Sequence, residues 1–215
     1  MSRTSLASTD SNQEIEFITN TRCPYAQKAW IALESSNCEY QMREVSLYGA
    51  GGKPDWFWKL NPKGTVPVVV VKDGDKKTVL ADSEDILDAV MDGKINGDGN
   101  MSIELNQNEH REVLKWRGII SKQLAPVGKL AVLGGSQTQL RLLLKELNSK
   151  VVGPYLTGDK FTMADAAAIP FFWRLNEEYG LGDDDTENLR TWLDKCVQNK
   201  AVSKTIPYQG WWWWW

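Results

Sequence analysis

The sequence predicts an α/β domain followed by an all-α helical domain. Up to residue 91, short segments with the two-residue period of strands alternate with segments of helical period. Beyond residue 100, apolar residues recur at helical spacing only. Between them, residues 92–100 are rich in glycine, aspartate and asparagine, which is typical of a linker. We expect a disordered tail over residues 1–13, the α/β domain over 14–91, the linker over 92–100, the helical domain over 101–207 and a tryptophan-rich tail over 208–215.

The composition is that of a globular protein without a membrane span. Hydrophobic residues make up 42% and charged residues 25% of the chain. The formal net charge of −3 argues against a nucleic-acid partner. No apolar run approaches the ~20 residues of a spanning helix, and the polar first residues lack the apolar core of a secretory signal. Three widely spaced cysteines favour a reducing compartment, so we expect a cytoplasmic protein, and no spacing typical of metal ligands occurs.

The first feature of the α/β domain is a cysteine between a predicted strand and a predicted helix. Residues 14–17 alternate polar and apolar, whereas the residues after Pro24 have helical spacing. Proline suits the first helical position, so Cys23 lies at a helix N-terminus, where a thiolate is stabilised. Together with Arg22, this predicts a lowered pKa for Cys23 and a nucleophilic sulfur. Ala26 stands where a second cysteine would complete a Cys-x-x-Cys pair.

Each cysteine also has a plainer interpretation. Cys23 could be a small buried apolar residue. Cys38, at the start of the next predicted strand, could be a redox partner of Cys23 or a structural thiol. Cys196 lies on the apolar stripe of a predicted amphipathic helix, which favours a place in the core.

The rest of the α/β domain follows in short elements. We expect a second strand over residues 39–45, a short helix over 54–60, a buried strand over 66–71 and a hairpin turning at Asp73-Gly74. A helix then begins at Asp82-Ser83. Within the buried strand, Pro67 cannot donate a ladder hydrogen bond, which indicates either a cis Val66–Pro67 bond at the strand's entry or an edge strand. The order of elements is that of a thioredoxin-like domain.

The helical domain has three clear amphipathic stretches. Two stripes precede residue 152, and a third follows residue 188. Thr162 and Asp165 form a predicted capping box at the start of an almost wholly apolar helix, which should be central, with a kink at Pro170. Trp116 and Trp173 could line an acceptor pocket or pack in the core. For the five tryptophans at the C-terminus, a natural tail and an engineered addition both remain open.

Four motifs together resemble a known family. They are Cys-Pro-Tyr-Ala-Gln-Lys over residues 23–28, the stretch from Lys53-Pro54-Asp55-Trp56-Phe57 to Asn-Pro-Lys-Gly-Thr-Val-Pro-Val over 61–68, Asp82-Ser83, and Gly-Asp-Lys-Phe-Thr-Met-Ala-Asp over 158–165. In this order and spacing they resemble the cysteine-type glutathione transferases of the omega and lambda classes. The resemblance covers roughly residues 14–207 and leaves the choice between the two classes open.

The resemblance implies the glutathione transferase fold and a site for glutathione as co-substrate. Cys23 would face the glutathione sulfur as the catalytic residue, with Tyr25 beside it. The glutathione-binding residues would be Lys53 for the glycyl carboxylate, Val66 and Pro67 for the cysteinyl backbone, Asp82 for the ammonium and Ser83 for the γ-glutamyl carboxylate. Glutathione and a small hydrophobic or disulfide acceptor would be the partners. A monomer and a homodimer both remain open.

A cysteine in this position implies thiol transfer. Cys23 would form a mixed disulfide with glutathione during deglutathionylation or dehydroascorbate-type reduction. Two alternatives remain: a conventional transferase that conjugates glutathione to electrophiles, and a non-catalytic binding module of the same fold.

Overall fold

The computed structural model describes residues 13–47, 52–95 and 105–206. The predicted tails, apart from Gln13, and residues 96–100 of the predicted linker lie outside the described residues. Gln13 belongs to the first strand, so the predicted tail over residues 1–13 is one residue too long. The described part of the linker, residues 92–95, continues no helix or strand.

The N-terminal part is a four-stranded mixed sheet with order β2-β1-β3-β4. Strand β1 is parallel to β2 and antiparallel to β3, and β3 is antiparallel to β4. The elements of this part are β1 (Gln13–Thr19), α1 (Pro24–Ser35), β2 (Gln41–Glu44), α2 (Asp55–Leu60), β3 (Val68–Asp73), β4 (Lys76–Leu80) and α3 (Ser83–Met91). The predicted order of strands and helices is confirmed.

The two inner strands are buried and the two outer strands are not. Residues 68–71 of β3 are all buried, as a continuous apolar run predicts. The second strand predicted for residues 39–45 is present over Gln41–Glu44, and its residues are all exposed. The reason is its position, because β2 pairs only with β1 and forms an edge of the sheet. At the entry of β3, the Val66–Pro67 peptide bond is cis, as predicted.

Apart from an isolated β-bridge between Tyr155 and Gly158, the regular elements among the described residues of the C-terminal part are all helical. Its helices are α4 (Gln107–Ile119), α5 (Ala125–Val132), α6 (Gln137–Asn148), α7 (Met163–Tyr179), α8 (Glu187–Val197) and α9 (Lys200–Ser203). A π-helical turn over Ile120–Leu124 joins α4 to α5. The sequence pattern did not predict α5. Pro126 lies in its first turn and has no N–H to donate, and the N–H of Ala125 reaches back to the carbonyl of Ile120, five residues earlier.

Helix α7 is the centre of the molecule, as its apolar sequence predicts. It packs against α1 of the sheet domain and against α4, α5 and α8. The helix continues through Pro170, and twelve of its seventeen residues are buried. Since α1 begins directly after Cys23, the contact between α1 and α7 places the cysteine turn at the junction of the two parts.

Asp165 ties the start of α7 to its surroundings. It forms the predicted capping box with Thr162, accepting from the Thr162 backbone N–H at 2.8 Å. Its other oxygen accepts from the Leu156 N–H at 2.9 Å and from the Trp192 indole at 2.8 Å. The capping residue therefore also joins α7 to α8 and to the preceding loop, which local sequence could not show.

Candidate active site

Cys23 is the N-cap residue of α1 and is half-buried. Its extended backbone (φ −78°, ψ 120°) turns the chain from the loop into the helix, and its carbonyl accepts from the Gln27 N–H at 2.9 Å. Its side chain makes no capping hydrogen bond. The sulfur lies 3.9 Å from the Val66 carbonyl oxygen. The thiol thus sits beside the cis-proline turn, at the helix N-terminus predicted from the sequence.

The predicted lowering of the Cys23 pKa is wrong for this arrangement. Burial of the thiol raises its pKa, and this effect exceeds all the others. The backbone N–H groups of Ala26 and Tyr25 and the charges of Arg174 and Lys28 lower it by less. The helix N-terminus acts in the predicted direction, but the sequence could not show how far packing removes the sulfur from water.

A small apolar cluster holds four segments of the site together. Its buried members include Ile18, Phe57 and Val68. Cys23, Leu47, Trp56 and Ala81 are partly buried and pack against it. A single core cluster is therefore contacted by the cysteine turn, by Leu47, by helix α2 and by Ala81, the residue before Asp82. These contacts bring the predicted site segments together.

Lys53 lies just before α2 and is half-buried. Its ammonium donates to the backbone carbonyl of Leu47 at 3.0 Å. This contact holds the lysine against a residue that packs on the same cluster as Cys23. Among the described residues, the ammonium of Lys53 has no carboxylate partner within salt-bridge distance, so its charge is available to an anionic ligand.

Asp82 and Ser83 form the start of α3. Asp82 is the N-cap, and its carboxylate accepts from the Glu84 N–H at 2.7 Å. Ser83 is the first helical residue and is buried. The cap bond fixes the backbone of this turn and leaves Ser83 at a helix end, where backbone N–H groups favour an anion.

A charged network connects this turn to the other elements. Glu84 pairs with Lys28 of α1 and with Arg117 of α4, and Arg117 also pairs with Asp88 at 2.6 Å. Lys28 and Arg117 are both almost fully buried. Burial raises the pKa of Glu84, but Lys28 and Arg117 together hold it below its usual value. Glu84 therefore neutralises two buried cations and locks the start of α3 to both parts of the fold.

We expect Glu84→Gln to destabilise the protein by about 2 kcal/mol near neutral pH. This is less than the 3–5 kcal/mol of a fully buried broken pair, because the Glu84 side chain is 32% exposed. Since its folded pKa is lowered, the stabilisation is complete above about pH 4.3, the unfolded value, and is lost as the pH falls through the folded pKa. Urea unfolding of both proteins at pH 7, and at a series of lower pH values that extends well below about pH 4.3, measures the difference.

Glu146→Gln is the matched control for this substitution. Glu146 pairs with Lys150 at 2.7 Å on the exposed surface of α6. An exposed pair one helical turn apart contributes less than about 0.5 kcal/mol. An equal loss of stability in the two variants would contradict a special role for the Glu84 network.

Tyr25 lies in the first turn of α1 with 38% of its surface exposed. Its ring packs edge-on against Phe171 of α7, with centroids 5.3 Å apart. Burial and the nearby Cys23 sulfur raise the pKa of its hydroxyl. The Tyr25 ring therefore packs on α7, two residues after Cys23 in the first turn of α1.

The site includes a buried arginine that the sequence did not single out. Arg174 of α7 donates to the Arg22 carbonyl at 3.0 Å, to the Pro170 carbonyl at 2.7 Å and to the Gln27 side chain at 2.6 Å. The signal that could have revealed it is an arginine within an otherwise apolar, central helix, since such a charge needs buried partners. Two of those partners, Gln27 and Arg22, lie 147 and 152 residues away in sequence, on and before α1.

Comparison with known proteins decides the family. The family model for the glutathione S-transferase N-terminal domain matches residues 22–92, and that for the C-terminal domain matches residues 131–195. The two models together cover more than half of the chain. The chain belongs to the glutathione S-transferase family.

Relatives of this chain include omega glutathione S-transferases and DHAR proteins. The chain is 26% identical over 193 residues to glutathione S-transferase omega-1 of Sus scrofa, covering 84% of this chain and 76% of that protein. It is 25% identical over 190 residues to the probable cytosolic glutathione S-transferase DHAR1 of Oryza sativa, covering 85% and 83%. The crystal structure of glutathione transferase Omega 1C from Trametes versicolor superposes with a TM-score of 0.78 at 19% identity, covering 91% and 92%.

These matches confirm the predicted glutathione transferase fold.

The two tryptophans singled out in the helical domain occupy different environments in it. Trp116 is a buried core residue, whereas Trp173 is half-buried beside Arg174. Cys38 and Cys196 are buried as well, and burial raises the pKa of Cys38 to about 11 and that of Cys196 further. Of the three cysteines, Cys23 is the least buried residue.

Among the described residues, no group of histidine, cysteine and acidic side chains could hold a metal ion. No described helix is both long and apolar enough to cross a bilayer.

Proposed function

We propose that this glutathione S-transferase family member is a glutathione-dependent thiol transferase and reductase. The observation that carries the proposal is the position of Cys23, a half-buried cysteine at the N-terminus of α1 next to a cis-proline turn. A serine or tyrosine hydroxyl would hold glutathione as a thiolate for attack on an electrophile. A cysteine sulfur instead exchanges with disulfides.

The reaction proceeds in two thiol–disulfide exchanges. The Cys23 thiolate attacks the glutathionyl sulfur of a mixed disulfide, so that a Cys23–glutathione disulfide forms and the acceptor leaves as a thiolate that takes up a proton. A second glutathione thiolate then attacks the glutathionyl sulfur on Cys23, which releases glutathione disulfide and regenerates the Cys23 thiolate. With a dehydroascorbate-type oxidant, two glutathione molecules supply the two electrons and two protons.

In this proposal, glutathione binds beside the cysteine turn, the cis-proline turn and the start of α3. Val66 pairs with its cysteinyl backbone and Pro67 fixes that geometry, as in strand addition. Ser83 binds the γ-glutamyl carboxylate at the helix end, and Asp82 takes the ammonium. Lys53 binds the glycyl carboxylate, and Tyr25 packs beside the sulfur.

Lys53→Ala should weaken glutathione binding by about 1–3 kcal/mol without changing the fold. The substitution removes a charge-assisted hydrogen bond to the glycyl carboxylate. Titration calorimetry with glutathione measures it, with circular dichroism as the check on folding. Lys59→Ala, at an exposed position of α2, is the control. Equal affinities of the Lys53 variant and the parent protein would remove Lys53 from the site.

Parallel assays separate this proposal from conjugation and from simple binding. A model glutathionyl disulfide and a model electrophile are offered to the protein with glutathione. Thiol transfer predicts rapid reduction of the disulfide and slow conjugation. Conjugation as the main activity would overturn the proposal, as would glutathione binding without either reaction.

The remaining partners follow from the same site. The acceptor is a small hydrophobic molecule or a disulfide that approaches Cys23 between the two parts of the fold. The cytoplasm, a reducing compartment, suits a catalytic thiol.

A further inference from the structure

The Arg174 guanidinium is a buried cation without a carboxylate partner. Only 5% of the Arg174 surface is exposed. Its hydrogen bonds go to three neutral oxygens, those of Arg22, Pro170 and Gln27. Within the described parts of the chain, no acidic side chain comes within salt-bridge distance of it, and its Nε is buried without an acceptor. Burying a charge without an opposite charge is costly, so the position calls for an anion.

The geometry points to the Cys23 thiolate as that anion. One guanidinium N–H binds the carbonyl of the peptide group that joins Arg22 to Cys23, at 3.0 Å. A second binds the side chain of Gln27, whose backbone N–H bonds to the Cys23 carbonyl. Arg174 therefore contacts residues on both sides of Cys23, and its charge acts to lower the pKa of the thiol.

We propose that Arg174 is a positioning residue that fixes the Cys23 turn and serves as counter-ion to the Cys23 thiolate. The inference rests on the proposed function, because a thiolate at Cys23 is the species that reacts. The charge that stabilises the Cys23 thiolate then comes from α7, a helix of the C-terminal part. Correct packing of α7 on α1 is therefore required for a reactive sulfur.

The charges around Cys23 agree with this assignment. Burial lowers the pKa of Arg174 to about 10, while the Cys23 charge raises it. Of the two charges that lower the pKa of Cys23, that of Arg174 has the larger effect and that of Lys28 the smaller. Lys28 already has a carboxylate partner in Glu84. The other titratable side chains here are Tyr25 in the same turn and Arg22, which is exposed.

The test is the pH dependence of Cys23 alkylation by iodoacetamide in the full-length protein. The modified residue is mapped by mass spectrometry, and neither glutathione nor an acceptor is present. In Arg174→Gln, alkylation at pH 7.5 should be about tenfold slower, as expected for loss of one close opposite charge. The rates of variant and parent should converge at high pH, where both thiols are ionised. A purely structural role would not produce this convergence.

Two further variants keep the test decisive if Arg174→Gln folds poorly. Arg174→Lys retains the charge and should restore most of the rate. Gln27→Glu keeps Arg174 and the shape of its neighbour but places a carboxylate at the 2.6 Å contact. That carboxylate would take up the guanidinium charge and should slow alkylation at pH 7.5. Arg141→Gln, on the exposed face of α6, is the control for loss of a positive charge.

The outcomes separate this inference from the proposed function. An unchanged pH profile in Arg174→Gln, or a shift found only in Arg22→Gln, would overturn the role of Arg174. Because alkylation requires no glutathione, that result would leave the thiol-transfer proposal intact. Conversely, a shifted profile in a protein without thiol-transfer activity would support Arg174 and overturn the proposed function.

Discussion

Cys23→Ser should reduce disulfide-reductase activity by about a thousandfold or more, because it removes the nucleophile itself. A serine hydroxyl is not ionised near neutral pH and cannot exchange with a disulfide. When oxidised glutathione is supplied, the parent protein should accumulate a glutathionyl adduct on Cys23, since Ala26 stands where a resolving cysteine would be. The variant should form no adduct. Steady-state assays and intact-protein mass spectrometry measure both effects.

The other two cysteines are the internal controls. Cys38 and Cys196 are buried, and burial raises the pKa of each. Cys38→Ala and Cys196→Ala should therefore keep the adduct and nearly all of the turnover. Cys23→Ser should still bind glutathione, because Lys53 and Ser83 are unchanged. Full activity in Cys23→Ser, or an adduct that maps to Cys38, would contradict the proposed mechanism.

Asp165→Ala should lower the free energy of unfolding by about 3–5 kcal/mol. The substitution leaves the backbone N–H groups of Leu156 and Thr162 and the indole N–H of Trp192 without their acceptor. Each buried donor left unsatisfied costs about 1–3 kcal/mol, and relaxation of the surroundings recovers part of the sum. Urea denaturation followed by circular dichroism measures the loss.

Glu109→Ala tests the same capping position without the burial. Glu109 is the third residue of α4 and accepts from the Asn106 N–H at 2.8 Å in a capping box on the protein surface. Water can replace that bond, so the expected loss is about 0.5–1 kcal/mol. The comparison isolates what Asp165 contributes by joining α7 to α8. Similar losses of unfolding free energy in both variants would show that Asp165 stabilises the protein only by capping α7.

Local patterns predicted much of the fold. Pro24 after Cys23 set the start of α1, and Thr162 with Asp165 set the start of α7, because cap chemistry depends on residues within one turn. Pro67 in an apolar run indicated the cis bond for a similar reason. The exposure of β2 could not be read in this way, since an edge position depends on which strands pair. The π turn before α5 was not predicted either.

The sequence by itself determined that the Cys23 thiol stands at the N-terminus of a helix, with no second cysteine in the same turn. Only the tertiary structure decided the electrostatic environment of that thiol. Desolvation raises the pKa of Cys23 although the helix end acts to lower it. The charge of Arg174, 151 positions after Cys23 in the chain, acts to lower this pKa. Arg174 reaches the cysteine turn by its hydrogen bond to the carbonyl of Arg22, 152 positions earlier in the chain. Burial and charge act through space, so both depend on how α7 packs against α1, and no local pattern in the chain records that contact.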